Sequence, residues 1–508
     1  MTGNTLHQAL FAPLAARDDA LITLPDGGVV TGRAFAAMLA RYAHALVESG
    51  VEPGDRIVVQ VEKSAHALAL YGAAITAGAV FVPLNSAYTP EELDYFIENA
   101  EPRIVVVDPA LEPVLGPLAA KHGAWPLSLG ADGGGSLAEA ARGQPESFDP
   151  VERAPDDLAA LLYTSGTTGR SKGAMLSHSN LLSNAQVLVE EWRFSSGDVL
   201  LHILPIFHTH GLFVATNVTL AAGARMILLP KFDIEAVLAH LPQASVMMGV
   251  PTHYTRLLAD ERLDRERVAG MRLFVSGSAP LLAETHEAFE ARTGHRILER
   301  YGMTETNMNT SNPYDGERRA GTVGFPLPGV EIRITDPESG EVLAAGATGM
   351  VEVRGLNVFQ GYWRMPDKTA EELRDNGYFI TGDLGRVDAD GYLHIVGRSK
   401  DMIISGGLNV YPKEIELVLD AQPGIAESAV IGVPHPDFGE AVLGVLVPRP
   451  GERPDLDAIR AALGDSLAAF KRPKALVTVP ELPRNTMGKV QKTELRARFG
   501  DHFARSRS

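Results

Sequence analysis

At 508 residues the chain is too long for one ordinary hydrophobic core, so two or more domains are expected. Hydrophobic residues make up 45% and charged residues 21%, the balance of a folded globular protein, and the formal charge of -17 disfavours nucleic acid or an anionic membrane as partner. The absence of cysteine excludes disulfides, thiolate nucleophiles and cysteine-ligated metals.

Met1 to Leu14 lacks a basic segment followed by a long apolar run, so no secretory signal is expected and the cytoplasm is the expected compartment. Short β-rich apolar runs then alternate with amphipathic helical patterns, which predicts an α/β fold. Strands are expected at Ile57 to Val61 and Arg103 to Val107, with helices at Phe35 to Ser49 and Glu91 to Asn99. Ala67 to Leu84, rich in Ala and Gly and holding Thr76 and Pro83, reads as a buried helix feeding a strand; no membrane insertion is expected. Gly130 to Pro150 reads as a surface excursion. Leu158 to Tyr163 is a buried strand running into a Gly/Ser/Thr loop, followed by a helix with Leu181, Ala185, Leu188 and Trp192 on one face. Arg272 to Val275 is a further strand. Asp390-Gly391 between apolar runs signals a hairpin, and Gly397 to Asp401 suits a linker. A helix opened by Pro412, strands at Ser428 to Val433 and Val442 to Val447, and a helix from Leu456 to Phe470 make a small second domain. The expected domains are 1–399 and 400–508.

The loop Thr164-Ser165-Gly166-Thr167-Thr168-Gly169-Arg170-Ser171-Lys172-Gly173 offers what a phosphate needs: permissive backbone, hydroxyl and amide donors, and a mobile cation. It lacks the P-loop spacing, because Lys172 precedes a glycine, and composition alone leaves a surface loop equally open. Six further segments follow in order: Pro205-Ile206-Phe207-His208-Thr209-His210-Gly211, Gly277-Ser278-Ala279-Pro280, Tyr301-Gly302-Met303-Thr304-Glu305, Thr381-Gly382-Asp383, Gly397-Arg398-Ser399-Lys400-Asp401 and Asn485-Thr486-Met487-Gly488-Lys489. Together with the loop they resemble the adenylate-forming superfamily of acyl-CoA synthetases, luciferases and peptide-synthetase adenylation domains, over essentially the whole chain.

The resemblance implies a large multi-subdomain N-terminal domain with α/β layers, a small mobile C-terminal α+β domain, and ATP, Mg²⁺ and coenzyme A as reactants. It implies an ATP site of Thr164, Ser165, Gly166, Thr167, Thr168, Gly169, Lys172, Gly277, Ser278, Ala279, Tyr301, Gly302, Thr304, Asp383 and Arg398. Glu305 would carry Mg²⁺, Thr304 would sit beside the α-phosphate, Tyr301 would stack on adenine, and Asp383 would accept from the ribose hydroxyls. Without the resemblance Tyr301 reads as core and Asp383 as a turn residue. Lys400 falls at the hinge, Gly406 and Gly407 at the coenzyme A tunnel, and Lys489 is the adenylation catalyst, exposed to an acetyltransferase and a deacetylase.

His208, Ser278 and Met303 fall at the acyl site, where Phe207 to Phe213 holds no acidic residue, so an amino-acid substrate is disfavoured. The chain ends at Ser508, which leaves no following carrier domain and favours free coenzyme A as acceptor. Pro251 opens a helix in which Arg256 is either a carboxylate ligand or a surface partner of Asp260. The Pro-Thr-His-Tyr-x-Arg run resembles malonyl-CoA synthetases, which implies malonate as substrate and methylmalonate as a second one. The alternatives are a ligase for another short-chain or dicarboxylic acid, and a non-catalytic relative that senses nucleotides or acids.

Overall fold

The computed structural model describes residues 3–164, 171–405, 408–435, 438–485 and 488–503. Two compact units emerge, one of Met1–Glu331 with Val353–Phe379 and one of Ile332–Glu352 with Ile380–Ser508.

The first unit holds two sheets. One runs Trp125–Ser128, Ile104–Val107, Arg56–Gln60, Val80–Pro83, Leu158–Thr164, Lys172–Ser177, parallel except for the last strand. Its inner strands are near-continuous apolar runs, Ile104–Val107 being Ile and Val throughout, as expected of parallel strands covered on both faces. The alanine-rich stretch is the helix Ala65–Thr76, followed by the strand Val80–Pro83. Small residues let it lie tightly against the helix Gly32–Glu48: a Cβ on Gly72 would meet Leu39 Cδ1 at 2.4 Å. Among the described residues no helix is long and apolar enough to cross a membrane.

The second sheet of this unit has nine strands. Val199–His202, Val246–Gly249, Leu273–Ser276 and the start of Leu298–Met303 lie side by side and parallel. Their carboxyl ends therefore share one edge, the usual place for ligands in open α/β sheets. The segments that leave this edge carry 203–211, Val250, 277–280 and 304–306.

A four-stranded sheet, Val330–Thr335, Gly349–Gly355, Phe379–Val387 and Leu393–Arg398 in that order, has most of its residues in the second unit. The expected hairpin about Asp390-Gly391 joins its last two strands. Beyond it, Ile425–His435 and Gly439–Pro448 pair along their length. Alternate residues face opposite ways: Val430, Val442 and Leu446 pack beneath the helices Pro412–Asp420 and Leu456–Ser466, while Ile431, Leu443 and Val445 join Leu495 of the helix Lys492–Phe499. The helix expected to reach Phe470 stops at Ser466. Gly130 to Pro150 includes the short helix Ser136–Ala140, anchored by buried Leu137.

Candidate active site

The expected residues fall into two groups, one in each unit. In the first unit, Thr164 and Lys172 are cross-strand partners at the ends of their hairpin, and Thr164 Oγ1 donates to Lys172 O at 3.4 Å. Ser165, Gly166, Thr167, Thr168 and Gly169 lie outside the described residues. Lys172 Nζ stands 3.2 and 3.4 Å from the two carboxylate oxygens of Glu372 and 4.1 Å above the Tyr362 ring.

Tyr301, Gly302 and Met303 end a strand that turns at 304–306 and returns as Asn307–Ser311. The turn is tight enough that a Cβ on Gly302 would fall on the Asn307 carbonyl, so only glycine fits. It leaves Tyr301, Met303 and Thr304 half-buried and Glu305 6% exposed. Glu305 is held from behind, where Phe359 N donates to its carbonyl and its Oε1 lies 3.0 Å from the Tyr362 hydroxyl. That hydroxyl lies closer, at 2.6 Å, to Glu372 Oε2. One phenolic proton cannot serve two carboxylates at once, and the shorter contact gives it to Glu372; a buried carboxylate such as Glu305 is of the type that suits a hard cation such as Mg²⁺. Burial pushes the Glu372 carboxyl up, but the Tyr362 hydroxyl and the Lys368 and Lys172 ammoniums outweigh it and hold the group below the usual carboxylate range.

At the same sheet edge, Ser278 adopts a left-handed conformation at φ 70° and its hydroxyl lies 3.3 Å from His210 Nδ1. His210 N in turn donates to His208 Nδ1 at 3.2 Å. Burial first, then the Arg300 charge, hold the His210 imidazole well below its ordinary range, and its Nε2 has no partner among the described residues. Arg300 is the residue that sequence reading missed. Its guanidinium lies directly under Gly277, where a Cβ would come within 2.4 Å of Cζ, and it is 3% exposed with Nε and Nη2 unpartnered among the described residues. Burial lowers it to about 9. A buried guanidinium with unsatisfied donors beside a histidine pair and a hydroxyl is built to receive an anion. The signal was present: Glu299 and Arg300 are charged residues that directly follow the apolar pair Ile297-Leu298 and lead to Tyr301.

Arg256 stands apart from this cluster. It is exposed on the helix Pro251–Leu258, its guanidinium 5.9 Å from the Phe232 ring, beside an open groove of about 450 Å³ that Asp233 and Asp260 also line. The surface pair weighed for it does not form, because Asp260 bonds Arg262 at 2.7 Å instead. Phe232 also stacks on His253, with ring centroids 4.4 Å apart.

In the second unit Asp383 and Arg398 are cross-strand neighbours joined at 2.6 Å. Gly382, at φ 72°, turns the chain so that Asp383 N reaches Thr381 Oγ1 at 3.0 Å. Lys400 sits in the single 3-10 turn Ser399–Asp401, and burial holds its amine below the ordinary range. Gly406 and Gly407 lie outside the described residues, between the paired strands Ile403–Ser405 and Leu408–Val410. Lys489 is exposed and tied to Asn485: Asn485 N donates to Lys489 O at 3.0 Å, and Lys489 N donates to Asn485 Oδ1 at 2.9 Å.

Comparison with known proteins shows the family. The AMP-binding enzyme signature matches residues 13–363 and the AMP-binding enzyme C-terminal domain matches 414–489. The structure of ATP-bound MatB from Rhodopseudomonas palustris superposes with a TM-score of 0.96 at 56% identity, over 99% of this chain and 100% of that one. The malonate–CoA ligase of Arabidopsis thaliana is 36% identical over 477 residues, 87% of this chain and 78% of that protein. A feruloyl-CoA synthase from an Amycolatopsis species is 38% identical over 478 residues, 93% of this chain and 95% of that protein. The chain belongs to the AMP-binding enzyme family.

Proposed function

We propose that the chain is an ATP-dependent acid–CoA ligase that converts malonate to malonyl-CoA through malonyl-AMP, releasing pyrophosphate and then AMP. The observation that carries the substrate is the buried Arg300 guanidinium under Gly277, with two nitrogens that have no partner among the described residues. A monocarboxylic acid spends its only carboxylate on the α-phosphate and leaves that cation without a partner; a dicarboxylate supplies one. The Arabidopsis malonate–CoA ligase and MatB support the same reading. Feruloyl-CoA synthase is as similar in sequence, but an extended aryl acid gives Arg300 nothing to bind.

In this reading Arg300 and Ser278 hold the distal carboxylate, His208 and Met303 bound the acyl site, and Arg256 draws the dianion in from the surface. Methylmalonate, one methyl larger, is proposed as a second substrate. Lys172, Thr164 and the loop between them cradle the polyphosphate, Tyr301 stacks on adenine and Thr304 donates to the α-phosphate. Mg²⁺ held by Glu305 supplies charge neutralisation on the phosphate oxygens when bound. Asp383 accepts from the ribose and Arg398 orients it, as their 2.6 Å contact suggests. Lys489 bridges the attacking carboxylate and the nucleotide, so the two anions approach with their charge offset. The small domain, 400–508, pivots at Lys400, and the Gly406-Gly407 backbone admits the pantetheine arm, whose thiol displaces AMP from the acyl carbonyl. A cytoplasmic location and acetylation of Lys489 by an acetyltransferase, reversed by a deacetylase, belong to the same proposal.

The test is AMP release with malonate, methylmalonate, succinate, acetate, butyrate and benzoate, each with and without coenzyme A. Turnover on malonate that requires coenzyme A is the expected result. Turnover on a monocarboxylate alone overturns the substrate and keeps the mechanism.

A further inference from the structure

The peptide unit that joins Gly488 to Lys489 is held at both of its polar ends. Its carbonyl, Gly488 O, accepts from Arg484 Nη1 at 2.5 Å, and its amide, Lys489 N, donates to Asn485 Oδ1 at 2.9 Å. The Lys489 carbonyl in turn accepts from Asn485 N at 3.0 Å. Gly488 makes the reversal possible at φ 75°, a left-handed conformation in which its own N–H reaches Asn485 O at 2.9 Å. The other terminal nitrogen of the same guanidinium, Arg484 Nη2, donates to Glu427 Oε2. Glu427 lies on the strand Ile425–His435, which pairs with Gly439–Pro448 along its length. We propose that Arg484 is a positioning residue for Lys489: it locks the Gly488–Lys489 peptide plane to the strand of Glu427 and so sets the direction in which the Lys489 side chain leaves the loop.

The physical reason is leverage. A peptide unit is planar, so hydrogen bonds at its carbonyl and its amide fix its orientation as well as its place. A lysine ammonium sits at the end of a long flexible stem, and any error in the starting direction grows along it. Misplacing a reacting group by about 1 Å can cost on the order of a hundredfold in rate. Asn485 ties the loop to itself, whereas Arg484 ties it to the sheet. A guanidinium suits that task, because separate nitrogens serve the carbonyl and the carboxylate at once. The Arg484 and Glu427 side chains are 31% and 27% exposed, so removing either leaves no deeply buried charge behind.

This inference rests on the reading of Lys489 as the adenylation catalyst, and the experiment separates the two. Both half-reactions are followed on the full chain: pyrophosphate release from ATP and malonate, and malonyl-CoA formation from supplied malonyl-AMP and coenzyme A. R484A should slow pyrophosphate release by about tenfold or more, hold KM for ATP and for malonate within about threefold, and keep thioester formation within about twofold. R484K, which can serve the carbonyl or the carboxylate but not both, should release pyrophosphate about threefold faster than R484A or better. In K489A, where no ammonium is left to direct, adding R484A should cost less than about a further twofold. E427A, which removes the anchor and keeps the Gly488 contact, should slow pyrophosphate release in the same direction and serves if R484A does not fold. An R484A chain that adenylates at the wild-type rate, slows both half-reactions equally, or multiplies its loss onto that of K489A overturns the positioning role alone. A K489A chain that adenylates normally, or a wild-type chain that releases no pyrophosphate, overturns the catalyst reading and this role with it.

Discussion

Gly277 and Arg300 occupy one another's space: the glycine has no side chain because the guanidinium fills the position where its Cβ would stand, 2.4 Å from Cζ. Gly277 follows the strand Leu273–Ser276 and Arg300 lies on its parallel neighbour, so the contact is fixed by strand register rather than by a loop. G277A must push the guanidinium aside. Because Arg300 is proposed to hold the distal carboxylate, the variant should raise KM for malonate at least tenfold and leave KM for ATP within about threefold. A change confined to ATP would show that the glycine serves the nucleotide instead.

Arg256 gives a contrasting test. It is exposed and lies over Phe232, so its removal leaves no buried charge and little loss of stability. R256A should raise KM for malonate far more than KM for ATP. R300Q should go further, abolishing measurable saturation by malonate, because a bidentate partner in a buried site is lost. Equal effects of R256A on both substrates, or none, would remove Arg256 from the acyl site.

Lys489 separates the two half-reactions. Its exposed side chain leaves it open to modification, and its tie to Asn485 fixes its backbone without needing its charge. K489A, or acetylated enzyme, should lose adenylation by at least a hundredfold while still forming malonyl-CoA from supplied malonyl-AMP and coenzyme A. Pyrophosphate release at the normal rate from acetylated enzyme would contradict the assignment.

How much of this was legible depended on whether the signal was local. The strands Arg56–Gln60, Ile104–Val107 and Leu158–Thr164 announced themselves as short apolar runs, and the Asp390-Gly391 hairpin by its turn. The motif residues Tyr301 to Glu305 were visible through their resemblance to a family motif, and the structure supplies the reason for Gly302, a return too tight for a Cβ. Glu372 and Tyr362 were not visible: they join Lys172 from 200 and 190 residues away, and nothing in Glu371-Glu372 distinguishes a buried-site acid from a helix-surface one. Arg300 was overlooked beside the more familiar tyrosine. Arg256 drew attention as an arginine in an acyl-site segment, while burial, which no motif reports, singles out Arg300 instead.

Stability should respond to acid in opposite senses in the two units. In the first unit burial lowers His7 and His178 to about 4 and His253 to about 3, nearby Arg153 adding to the second and Arg256 and Lys63 to the third. The unfolded chain takes up protons near pH 6.5 that these groups refuse, so their contribution is complete above 6.5 and is lost as pH falls through 4. In the second unit burial raises Asp420 to about 6 despite Lys413 and the Ser428 hydroxyl. The native state then holds a proton that the unfolded chain releases, so stability falls as pH rises from 3.8 to 6 and stays lowered above it. Asp420 is 11% exposed, and a shift of two units corresponds to at most about 3 kcal/mol. D420N keeps the acceptor for Ser428 Oγ, now 2.7 Å away, and removes the charge. Urea unfolding should therefore show D420N stabilised by about 1–3 kcal/mol at pH 7.5, with the gain shrinking steadily between pH 6.5 and 4.5. The wild-type histidines should cost stability over that same interval as their unfolded-state imidazoles take up protons. A D420N gain that does not change with pH would mean that packing, not the buried charge, sets the cost at this position.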